Sequence, residues 1–156
     1  MITTTILFFV GCTAPAEVEI LDTPSLDELT AIVGISSSSA AFKDIVEQYK
    51  FTKFHKNDYT WGSSFGVFLV ERKNGQIQIG MRPPSDAKDI GTSGYGGELP
   101  RGLKAGDSLS DVQEKLGQPV KTAHNPDVYY EMSYDGMTVY TMRGRLFEVW
   151  LLPNKQ

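Results

Sequence analysis

The residue best placed for covalent chemistry in this 156-residue chain is its single cysteine, Cys12. It follows Gly11 at the end of the apolar run Ile6-Leu7-Phe8-Phe9-Val10 and precedes the polar Thr13-Ala14-Pro15-Ala16-Glu17. One cysteine cannot form an intrachain disulfide, so its thiol is free for another use. The run ahead of it is far shorter than the ~20 apolar residues of a membrane span. It fits the apolar core of a secretory signal, and its other reading is a first strand of the fold. Elsewhere the residue types are present but the spacing is not. His55 and His124 fall in loop regions without a second ligand at metal spacing. Residues 91–97 have the glycines of a phosphate loop but no Lys-Ser/Thr, and no helix starts directly after them. No Gly-x-Ser-x-Gly elbow accompanies the serines. The acidic pairs Asp27/Glu28 and Asp44/Glu47 fall early on helices, where negative charge suits the helix dipole. No catalytic residue, metal site or cofactor is expected.

The elements around these residues follow from hydrophobic period. Leu26, Leu29, Ile32 and Val33 predict a helix capped by Ser25 and stopped by Gly34. Phe42, Ile45, Val46 and Tyr49 form the stripe of a second helix. The period then drops to two. Segments near 59–61, 65–73 and 76–82 read as a meander, with Asn74-Gly75 as a type I′ turn and Pro83-Pro84 as its end. Residues 84–97, rich in Gly, Ser and Asp, read as a linker whose Tyr95 is placed to anchor a partner. Asp107 or Ser108 then caps a helix through Leu109, Val112 and Leu116, and Gly117 stops it. Strands near 128–133, 137–142 and 145–152 follow, closed by Pro153.

The second half restates the first 70 residues later: Tyr59 matches Tyr129, Gly66 matches Gly136 and Pro83 matches Pro153. The apolar pattern agrees through Val67/Met137, Leu69/Val139, Ile79/Val149 and Met81/Leu151. Fixed-period self-similarity of this kind organises a fold. The expected fold class is α+β, two tandem helix-loop-helix plus antiparallel β-meander units. The expected divisions are a signal segment at 1–11, a tether at 12–25, a first unit at 26–83, the linker at 84–97 and a second unit at 98–153.

The stretch Leu103-Lys104-Ala105-Gly106-Asp107-Ser108-Leu109-Ser110-Asp111-Val112, followed by Leu116-Gly117-Gln118-Pro119 and a meander, carries a family likeness. It resembles the small outer-membrane assembly lipoproteins of SmpA/OmlA type. It also resembles the β-lactamase inhibitor proteins, which repeat such a helix-and-sheet unit in tandem. The likeness covers about residues 98–153 and is weak over 26–83. Gly11-Cys12 in turn resembles the lipobox of bacterial lipoproteins, although no Lys or Arg precedes the apolar run. That resemblance implies lipidation of Cys12 and a place on the periplasmic side of the bacterial cell envelope. The strand reading implies a cytoplasmic protein instead. The inhibitors carry disulfides in each unit, which this chain cannot form.

What those families imply is a noncatalytic binding surface on the open face of the sheet. Strand alternation supplies its candidate residues. With Phe147, Val149 and Leu151 toward the helices, Leu146, Glu148, Trp150 and Leu152 point away, joined by Thr138, Tyr140 and Met142. Phe68 occupies the matching place in the first unit, with Trp61 nearby. Trp, Tyr and Met are the composition of an interface core. The expected partner is another protein, either a secreted toxin or enzyme or an envelope component. A net charge of −4 disfavours nucleic acid. The competing function is a small-ligand carrier or an enzyme using a groove between the units.

Overall fold

The computed structural model describes residues 23–54, 59–84, 94–125 and 129–153. Cys12, the apolar run before it, His55, most of the tether and the centre of the linker lie outside the described residues.

The described residues form α1 (Leu26–Ala31), α2 (Ala40–Gln48) and α3 (Leu109–Leu116), with β1 (Thr52–Lys53), β2 (Thr60–Gly62), β3 (Val67–Glu71) and β4 (Ile77–Met81) after α2. After α3 come β5 (Lys121–Asn125), β6 (Tyr129–Tyr134), β7 (Met137–Met142) and β8 (Arg145–Leu151). Each helix starts at a serine whose hydroxyl accepts a backbone N–H of the first turn: Ser25, Ser39 and Ser108. At Ser25 and Ser108 an acidic side chain three residues on, Glu28 or Asp111, returns the bond to the cap backbone.

The expected α+β class does not hold. The chain is mainly β: all eight described strands join one antiparallel sheet in the order β1-β2-β3-β4-β8-β7-β6-β5, and the described helices are three and short. Two causes are visible. The last strands of the two meanders, β4 and β8, pair with each other, so neither is left as an open edge. Among the described residues the second half also has no helix pair, because Pro100-Arg101-Gly102 makes only a single 3₁₀ turn in which Arg101 has φ 56°.

Pairing at the junction sets Ile79 against Leu151, Gly80 against Trp150 and Met81 against Val149. Under the 70-residue offset this pattern is its own image, so a local twofold passes through the Gly80–Trp150 pair. The residues at the axis are the least alike of all.

The hairpin turns also differ from expectation. Gly75 alone has positive φ in its turn, with Gly75 N–H donating to the Arg72 carbonyl, so 72–76 is a type I turn closed by a left-handed glycine. The type I′ signature of two positive φ values falls instead at Arg143-Gly144. Just beyond it, Tyr140 pairs with Glu148 but Thr141 pairs with Leu146, which leaves Phe147 as the extra residue of a β-bulge.

One core serves the described residues. Leu29 and Ile32 near α1, Phe42 and Ile45 of α2 and Val112 of α3 pack with Val67, Leu69, Ile77, Ile79, Met81, Met137, Val139 and Val149. Those strand residues alternate and therefore share one face. The described helices contribute their buried residues to that side of the sheet.

Candidate functional site: the open face of the sheet

Strand register builds the opposite face row by row, with neighbouring strands about 4.8 Å apart. One row runs Gly62, Phe68, Gly80, Trp150, Thr138, Ser133. The next runs Arg82, Glu148, Tyr140, Glu131, Ala123. An aromatic row thus lies beside a charged one.

Glycines let the rings lie flat. A Cβ on Gly80 would meet Trp150 ring carbons at 2.8–3.0 Å, and one on Gly62 would meet the Phe54 ring at 2.8 Å. Phe54, which pairs at the sheet margin, is 48% exposed. A glycine inside a strand marks such close approach of another group.

The charged row fixes the platform. Arg82 reaches Glu148 at 2.7 Å, and its guanidinium lies 5.2 Å from the Phe68 ring centre and 4.6 Å from that of Phe147. Trp150 Nε1–H donates to the other carboxylate oxygen of Glu148. The indole is therefore oriented by a carboxylate that is itself held by an arginine, a pre-organised arrangement. Tyr140 sits between Glu148 and Glu131 in the row. Burial first, then the charge and hydrogen bonding of Glu131 and the charge of Glu148, push its hydroxyl pKa up. Tyr129 and Met142, an exposed register pair at 37% and 36%, close one end of the face.

Of the residues named from sequence, Phe68, Thr138, Tyr140, Met142 and Trp150 share this face. Thr138 is only 6% exposed and forms floor beneath its neighbours. Two others are elsewhere. Trp61 pairs with inward-facing Leu69 and packs edge-on against Phe42 of α2 at 4.9 Å, on the helix side. Tyr95, expected at an exposed linker tip, is 1% exposed and donates to the Pro24 carbonyl, which locks the linker end to the start of α1. Phe147 is also corrected: the bulge turns it out under Arg82, while Leu146, expected outward, is 6% exposed and part of the core. Phe54, Arg82, Tyr129 and Glu131 complete the face, although none of the four is expected from the sequence to touch a partner. Gly80 between Ile79 and Met81 was the available signal.

No groove parts the two meanders in the sheet itself, because β4 and β8 hydrogen-bond directly. A shallow cleft of about 250 Å³ lies on Pro83, Pro84, Tyr95, Leu99, Leu103 and Lys104, a mostly apolar lining. Among the described residues no three His, Cys, Asp or Glu gather as a metal set, and no helix is long and apolar enough to cross a membrane. His124, expected in a loop, lies in β5 and stacks on Tyr130 at 5.4 Å. No known protein family, curated protein or solved structure matches the chain.

Proposed function

We propose that this protein is a non-enzymatic recognition module that binds another protein through the open face of its sheet. A single observation carries the reading: half-exposed Trp150, Tyr140 and Phe68 lie on a sheet side to which the described helices contribute no core residues, with the Arg82–Glu148 pair holding the indole of Trp150 and covering Phe68. Large aromatic side chains held in one conformation form the centre of an interface at low entropic cost. The proposed setting is the bacterial envelope, with the protein held on the periplasmic side by a lipid on Cys12. Its partner is then an envelope component or a secreted toxin or enzyme.

Affinity capture with the wild type and with Trp150→Ala tests the reading. One protein enriched by the wild type and lost with the variant, while the variant keeps its circular dichroism, supports it. Equal capture by both counts against it. Metabolic labelling with palmitate, in wild type and Cys12→Ser, tests the anchor separately.

A further inference from the structure

We infer that the partner presents a basic side chain, Arg or Lys, to the Glu131 end of the charged row, where it lodges beside the rings of Tyr129 and Tyr140. This rests on the recognition reading and adds the chemistry of the partner.

Charge complementarity carries the inference. Arg82 and Glu148 neutralise each other at 2.7 Å. Glu131 has no such counter-charge among the described residues. Its register neighbours are Tyr140 on one strand and Ala123 on the other. Lys121 stands diagonally on the edge strand, on the same face, and forms no ion pair with it. Among the described residues, half-buried Glu131 is therefore the uncompensated charge of the row.

The aromatic surroundings point the same way. Tyr129 and Tyr140 have ring centres 6.3 Å apart inclined at 51°, and Tyr129 is exposed. Ring faces beside a carboxylate attract a cation through both quadrupole and charge. The face already holds one such site, filled from within: Arg82 over Phe68 and Phe147 with Glu148 as counter-ion. The Glu131 end repeats that chemistry without a cation of its own among the described residues. A net charge of −4 favours the approach of a basic partner.

The test is a nuclear magnetic resonance titration of the full chain with N-acetyl-arginine amide, and with the uncharged isostere N-acetyl-citrulline amide. The expected result is saturable shifts centred on Tyr129, Glu131 and Tyr140 with arginine alone, weakened by salt and about tenfold weaker in Glu131→Gln. Tyr129→Leu, which leaves every charge in place, should weaken the same shifts. Equal shifts with citrulline, arginine shifts centred elsewhere, or indifference to both substitutions overturns the inference. A captured partner that needs Trp150 but is unaffected by Glu131→Gln also overturns it, while leaving the recognition reading standing.

Discussion

Gly80→Ala probes the junction and the platform together. The added methyl would sit 2.8 Å from Trp150 Cζ2, 2.9 Å from Cε2 and 3.0 Å from Cη2, inside the ~3.5 Å at which carbon atoms attract. The ring cannot slide aside freely, because Nε1–H is bonded to Glu148 and Glu148 to Arg82. Overpacking of this kind costs about 1–3 kcal/mol. Replacing glycine returns about 0.4–1 kcal/mol by narrowing the unfolded ensemble. The net expectation is destabilisation by about 1–2 kcal/mol. Urea unfolding measures it, with circular dichroism for stability and indole fluorescence in a Trp61→Phe background to follow Trp150 alone. In a Trp150→Ala background the same substitution should be neutral or stabilising by up to about 1 kcal/mol. An equal cost in both backgrounds would refute the claim that the ring lies across Gly80.

Three further outcomes are expected. Leu146→Ala should cost about 2–4 kcal/mol and Phe147→Ala clearly less, since the bulge buries the former and leaves the latter half-exposed; the reverse order in urea denaturation would remove the bulge. Thr141→Val should stabilise by about 1 kcal/mol, because the buried Thr141 Oγ1 has no hydrogen-bond partner among the described residues; a loss of stability would reveal one. Tyr95, Tyr134 and Tyr140 all have hydroxyl pKa values raised, mainly by burial. The folded state then holds these protons more tightly than the unfolded chain, so stability should be full below about pH 10 and fall as pH climbs through the folded values. Unfolding midpoints that rise over that range would contradict the burial.

The sequence was most legible where local chemistry is strong. Ser25 announces one helix start, Asp107 or Ser108 narrows another to two residues, and Gly117 announces a stop, because caps depend on residues within one turn. The 70-residue echo located like strands in both halves. It could not show that β4 would pair with β8, since that contact joins residues far apart and makes one sheet from two meanders. β1 and β5 are not legible in the sequence because they lie at the sheet's edges, and β5, Lys-Thr-Ala-His-Asn, lacks apolar alternation. Alternation predicted the outer positions of Tyr140 and Trp150 but failed at Phe147, where the bulge resets it. The glycine-rich surroundings of Tyr95 suggest exposure, while its burial depends on the distant Pro24 carbonyl.

Site-specific photocrosslinking in living cells tests the central claim most directly. A photoreactive residue at Phe54 or Tyr129, exposed on the open face, should join the chain to one protein, while the same group at exposed Glu47 of α2 or Gln113 of α3 should not. Adducts that form from the helix side and never from the open face would contradict the account.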